Sequence, residues 1–252
     1  PLWYPLVEFV KGLFGTRVIF DVLDEFSGFS NAHVSLNKFE RKMDSISDAF
    51  ICTAKMIYDK KNLSNQRVAL IPNGAEVDLF GKLPANGFLQ HLKRPIIGYY
   101  GAIAEWFDVE IIELLAKSEP EWQIVLIGHT FGADLDKIKA LDNVHLLGEK
   151  PYRSLPGYLK DFDVCLIPFK LPELILSCNP VKFYEYISSG KPVVTTDLPE
   201  VRPFEEIAYI AKSKEDFLEK TRLALVEKDK NMIRKRRETA RENDWNHRVE
   251  KI

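Results

Sequence analysis

Apolar residues in this chain fall into two kinds of pattern. Short runs, apolar at nearly every position and rich in Val, Ile and Leu, occur at 17–23, 50–53, 67–71, 95–100, 123–128, 144–147, 163–168, 192–195 and 208–211. Runs of this kind suit parallel strands covered on both faces. Between them lie stretches with apolar residues three and four apart, at 35–47, 55–61, 109–117, 135–141, 154–160, 180–189, 215–227 and 230–242. That spacing predicts helices with one buried face. The opening segment from Pro1 to Phe14 is aromatic and amphipathic and reads as a further helix packed on the first sheet, with contact to lipid as the alternative for its apolar side. Alternation of strand and helix along the chain predicts a doubly wound α/β fold.

The alternation is interrupted once. Asn73-Gly74 is a turn signal, and residues 81–87 are polar with Gly and Pro before a new strand opens at Pro95. We therefore divide the chain into 1–82, 83–228 and 229–252. The first part holds too few strands for a complete doubly wound domain and reads as the closing portion of one. The second has enough for a complete Rossmann-like domain. The chain begins without Met, which fits a fragment of something longer.

Composition narrows the class. With 252 residues, 46% hydrophobic and 29% charged, the balance is that of an ordinary globular protein. A formal net charge of -2 gives no bulk attraction to nucleic acid. The three cysteines are scattered and odd in number, which argues for a reducing, cytoplasmic setting and against a disulfide framework. The five histidines show no zinc-site spacing. No apolar run reaches the length of a membrane span, and no secretory signal is recognisable.

The stretch from Ser177 to Val194 carries the most chemistry. Asn179 is a favourable N-cap, Pro180 suits the first helical position, and Gly190 suits the left-handed residue past the last turn. Lys182 and Glu185, three apart, share one face near the end of the helix that favours anions. A lysine there can meet a diphosphate, and a carboxylate one turn on can accept two hydrogen bonds from a ribose diol. The simpler account is a surface ion pair worth a fraction of a kcal/mol. Asp161-Phe162-Asp163 is a metal-binding type of string, but its place at the entry of an apolar strand argues against a metal. The basic run Lys228, Lys230, Arg234, Lys235, Arg236, Arg237 and Arg241 reads as a solvated helix face, with attraction to an anionic membrane as the alternative.

Taken in order, several segments resemble the retaining nucleotide-sugar glycosyltransferases of the two-Rossmann (GT-B) architecture, of the "group 1" type that builds bacterial polysaccharides. Ile71-Pro72-Asn73-Gly74-Ala75-Glu76-Val77-Asp78-Leu79-Phe80 resembles that family's interdomain element, and Ile97 to Ile103 its first donor-domain strand and Gly turn. Asn143 to Gly148 with Leu155 to Leu159, Phe162 to Phe169, and the Lys182/Glu185 helix follow in the family's order. Trp245-Asn246-His247-Arg248 resembles the closing helix that returns toward the N-terminal domain. The resemblance implies an α/β, GT-B-like fold: a complete C-terminal donor domain plus the C-terminal portion of an N-terminal, acceptor-side domain.

It also implies roles. Glu185 would hold the ribose hydroxyls, and Lys182 would neutralise the diphosphate and stabilise the departing nucleoside diphosphate. Gly101, Ala102 and Ile103 would approach phosphate or sugar. Gly128 and His129 would face the cleft, Tyr152 would lie beside the base, and Asn179 and Pro180 would open the helix. Asp24 would face the sugar from the first half. The implied donor is a nucleoside-diphosphate sugar, with a saccharide or lipid-linked acceptor, peripheral membrane contact, and no bound metal or other cofactor. Two departures stand out: Ser177 where many relatives carry a second glutamate, and Leu23 where they show His. The common Arg and Lys after the first donor-domain strand are also not evident in 101–108. These leave room for a non-catalytic subunit, and the architecture for a nucleotide-sugar 2-epimerase, which would need an acid/base pair the sequence does not offer.

Overall fold

The computed structural model describes residues 3–25, 34–63 and 67–251. The chain forms two compact units, one of residues 1–73 with 172–179 and 248–252, the other of 74–171 with 180–247.

The first unit begins with α1 (Tyr4–Phe14), β1 (Ile19–Val22), α2 (Val34–Ile46), β2 (Ala49–Cys52), α3 (Lys55–Asn62) and β3 (Arg67–Leu70). Its strands are parallel in the order β1-β2-β3, with Phe20 opposite Phe50 and Phe50 opposite Val68. Phe20, Val22, Phe50 and Cys52 form its core with Tyr4, Met43 and Ile57, one from each helix. The run at 17–23 predicts a strand buried on both faces, yet Ile19 and Asp21 of β1 are exposed. All three helices send their core residues to the Phe20–Phe50 cluster, so among the described residues β1 is covered on one face only.

The second unit continues with α4 (Val77–Gly81), β4 (Ile96–Tyr100), β5 (Ile103–Ala104), α5 (Val109–Ser118), β6 (Gln123–Ile127), β7 (Thr130–Phe131), α6 (Asp136–Lys139), β8 (Val144–Leu146), α7 (Leu155–Leu159) and β9 (Val164–Ile167). The short α8 (Glu173–Leu176) belongs to the first unit. Then come α9 (Val181–Ser188), β10 (Val193–Thr196), β11 (Tyr209–Ala211), α10 (Lys214–Val226), α11 (Lys230–Glu242) and α12 (Trp245–Val249), whose last two residues are counted in the first unit. Six strands make a parallel sheet in the order β11-β10-β9-β4-β6-β8, and β5 pairs separately with β7. Every residue of β4 and β9 is buried, as their unbroken apolar runs predict. The chain winds outward from β4 in one direction through β6 and β8, and in the other through β9, β10 and β11. The switch point therefore lies between β4 and β9, where open α/β sheets place their ligands at the carboxyl ends of the strands.

The basic run of α11 is not a uniform solvated face. Arg236 is fully buried, its guanidinium bidentate on Glu227 at 2.5 and 2.7 Å, with Nε donating to the Ile207 carbonyl at 2.8 Å. Arg237 donates to the Ser189 carbonyl at 3.0 Å. Both anchor α11 against the turns beside α9 and β11, but only Arg236 leaves the surface; Arg237 stays exposed with Arg234 and Lys235.

Candidate functional site

The residues of interest gather where β4 ends and α9 begins. Here α9 starts one residue later than its sequence predicts. Pro180, with ψ of 108°, takes the N-cap position, and its carbonyl accepts the Phe183 N–H at 3.0 Å. Asn179 lies outside the helix, in the first unit, where its carbonyl accepts from Asn73 Nδ2 at 2.7 Å. Proline fixes φ but leaves ψ free to stay extended, so the chain turns into the helix only at Val181. No side chain caps the first turn of α9. At the far end Gly190 has φ of 84° and its N–H reaches the Ile187 carbonyl, as its type predicts.

Lys182 reaches from that first turn to the loop after β4. Its Nζ lies 4.8 Å from the centre of the Phe169 ring and 5.7 Å from that of Tyr99, a cation held over two aromatic faces. Room for it comes from Gly101, where φ is 134° and an added Cβ would sit 2.7 Å from Lys182 Cε. A side chain on Gly128, φ 151°, would in turn collide with the Gly101 carbonyl. The Tyr99 hydroxyl donates to the Ala102 carbonyl at 2.6 Å and fixes the turn. The Gly101 and Ile103 N–H groups donate to the carbonyls of Ile127 and His129, both at 2.9 Å. Ile103 is buried in the core, whereas Ala102 and His129 are exposed.

Glu185, one turn further along α9, is 4% exposed and accepts a hydrogen bond from the Tyr152 hydroxyl at 3.0 Å. Burial pushes its carboxyl above the usual range, opposed by that phenol and the Lys182 charge, while the Glu76 carboxylate adds to the rise. Aromatic rings enclose it. Phe80 meets Tyr152 edge-on at 5.4 Å and stacks near Tyr100 at 6.1 Å, and Tyr186 meets Tyr100 edge-on at 4.7 Å. The Tyr100 N–H donates to the Tyr186 hydroxyl at 2.9 Å. Tyr100 itself is 2% exposed and its hydroxyl has no hydrogen-bond partner. That hydroxyl is close enough to Glu185 for the two to shift each other's titration, yet it lies outside hydrogen-bond geometry.

Lys182, Glu185, Gly101, Gly128 and Tyr152 thus lie in one unit around one switch point. Asp24 lies in the other, at the carboxyl end of β1, beside a cavity of about 520 Å³ lined also by Val22, Glu25, Glu40, Asp44 and Lys61. Burial pushes the Asp24 carboxyl up to about 6. Asp161 and Asp163 are occupied structurally. They accept the N–H groups of Leu89 and Ile96 at 2.6 and 2.7 Å, and Asp163 also pairs with Arg94. Among the described residues no group of three or more His, Cys, Asp or Glu is arranged to hold a metal ion. Sequence reasoning missed Phe80, Tyr100 and Phe169, because an aromatic residue in or beside an apolar run carries no sign beyond core packing.

The family model described as Glycosyl transferases group 1 matches residues 94–226. Over 276 aligned residues the chain is 27% identical to the protein named "Putative teichuronic acid biosynthesis glycosyltransferase TuaH" of Bacillus subtilis (strain 168), covering 97% of this chain and 68% of that protein. Among solved structures, HepE of Anabaena in complex with UDP and glucose superimposes with a TM-score of 0.68 at 15% identity, over 96% of this chain and 71% of that one. Sucrose-phosphate synthase from Thermosynechococcus elongatus gives 0.74 at 16% identity, over 98% and 69%. These two likenesses establish the GT-B-like α/β fold.

Proposed function

The chain belongs to the group 1 glycosyl transferases and is a glycosyltransferase; from that premise we propose that its second unit binds a nucleoside-diphosphate sugar. The observation that carries this reading is the pairing of Lys182 at the Gly101 turn with Glu185 in its aromatic enclosure, both at the carboxyl ends of the strands. On this reading Glu185 accepts the ribose hydroxyls, and Lys182 balances the diphosphate charge that grows as the sugar leaves. Lys182 also supplies the cation that residues 101–108 lack, so no metal is required for that task. Asp24 offers a saccharide hydroxyl a carboxylate from the first unit. Transfer proceeds with retention to a saccharide or lipid-linked acceptor, in cell-wall, capsular or secreted polysaccharide synthesis. The name of the Bacillus relative and the UDP and glucose held by the Anabaena protein support this choice. A lipid-linked acceptor also brings peripheral contact with a membrane; no helix among the described residues is long and apolar enough to cross one.

The test is a thermal-shift titration with UDP, GDP, ADP and dTDP, repeated on Glu185→Ala. At a hundred times its dissociation constant a ligand adds about 2.7 kcal/mol of stability. We expect one nucleotide to raise the melting temperature and Glu185→Ala to abolish the rise. An unchanged rise in the variant would remove Glu185 from the site.

A further inference from the structure

Two phenols converge on Glu185, and only one of them is satisfied. Tyr152 donates to Oε1 at 3.0 Å. Tyr100 comes from the neighbouring strand end, is as buried as the core around it, and carries a hydroxyl without a partner. A buried hydroxyl left unpaired costs about 1–3 kcal/mol, so such a group calls for a reason. Packing supplies none, since phenylalanine would fill the same space between Phe80 and Tyr186.

An ionised carboxylate offers about four acceptor positions on its two oxygens. A vicinal diol uses two of them. The remaining two match the two phenols. We propose that Tyr100 and Tyr152 are positioning residues which fix the plane of the Glu185 carboxylate for a ribose diol, the Tyr100 hydrogen bond closing when the diol binds. The inference rests on the donor-site reading above and adds a specificity to it: the phenols set the preference for ribose over 2′-deoxyribose. Tyr152, 41% exposed, forms the solvent-side wall, and Tyr100 the buried one. Lys182 acts on Glu185 through its charge alike for either sugar, its ammonium lying over Phe169 and Tyr99 at the Gly101 turn.

The test is calorimetric titration of the chain with UDP, GDP and ADP and with their 2′-deoxy forms. It is made on the parent and on Tyr100→Phe, Tyr152→Phe, Glu185→Gln, Lys182→Ala and the Tyr100→Phe/Glu185→Gln pair. For the nucleotide that binds, each phenol variant should weaken the ribo form by about tenfold, as befits one hydrogen bond to a charged group, and the deoxy form less. In the Glu185→Gln background Tyr100→Phe should have no further effect, since it acts through Glu185. Lys182→Ala should weaken both forms equally. Tyr100→Phe should melt at or above the parent temperature, having lost only an unpaired hydroxyl, which excludes misfolding as the cause of weaker binding. If Glu185→Gln abolishes binding while both phenol variants bind like the parent, or if the effects of Tyr100→Phe and Glu185→Gln add, the positioning role is overturned and the donor site stands. If no nucleotide binds, or Glu185→Gln binds as well as the parent, the donor-site reading itself falls.

Discussion

Asp24 and Glu185 both carry carboxyls that burial holds above the ordinary range. For Asp24 the folded value is about 6, against 3.8 unperturbed. Between those values the native chain binds more protons than the unfolded one, so stability falls as pH rises through that window. A shift of about two units corresponds to roughly 3 kcal/mol at neutral pH, as an upper order of magnitude. Asp24→Asn should therefore stabilise the chain at pH 7 and flatten the decline between about pH 4 and 6, which urea unfolding at a series of pH values would show. An Asn variant less stable at neutral pH, with the decline intact, would mean that the carboxylate has a compensating partner. At this scale the sequence disclosed the two charges of α9 through their three-residue spacing. It misplaced the cap by one residue, because Asn179 has the favoured cap type and Pro180 the type of a first helical residue, and only the extended ψ of Pro180 overrides both. Tyr100 was illegible: its hydroxyl meets Glu185 only by virtue of what α9 brings against the end of β4.

Helices and strands with clear periods were the most legible features, and their observed ends lie within a few residues of those predicted. The short α4, α8, β5 and β7 escaped notice because two to five residues cannot display a period. Charge was harder to read than hydrophobicity. In α11 the pattern cannot distinguish Arg236 from its solvated neighbours, yet Arg236 is fully buried against Glu227, whose side chain is 9% exposed. Removing one partner of such a pair leaves the other charge buried and uncompensated, at about 3–5 kcal/mol. Arg236→Ala should lose stability on that scale, and joint replacement of Arg236 and Glu227 by Met should recover much of it. Thermal unfolding of the single and double variants decides the point. A single-variant loss below about 1 kcal/mol would show that water reaches Glu227 and that the pair is an ordinary surface bridge.

Over the whole molecule, the two units present different chemistry. The second presents charges and phenols at a sheet switch point, while the first carries an apolar stripe. On α1 and its leading residue, Trp3, Leu6, Phe9, Leu13 and Phe14 are each more than half exposed, whereas Tyr4 is buried and Lys11 is tied back to Asp48 and the Ile46 carbonyl. Those exposed positions recur at helical spacing, so they form one face rather than scattered singles. An amphipathic helix of this form can lie in a lipid interface with its apolar side down and its polar contacts behind it. If the acceptor is lipid-linked, as proposed, this face is where the first unit meets the bilayer. The chain should then cosediment with vesicles of phosphatidylcholine and phosphatidylglycerol, and Phe9→Glu with Leu13→Glu should release it. Because both positions already face solvent, the double variant should melt near the parent temperature, and nucleotide binding at the second unit should be unchanged. Cosedimentation that survives both substitutions would place the membrane contact elsewhere. A double variant that unfolds would show that the stripe is packed against protein in solution, and the lipid assignment would fall with it.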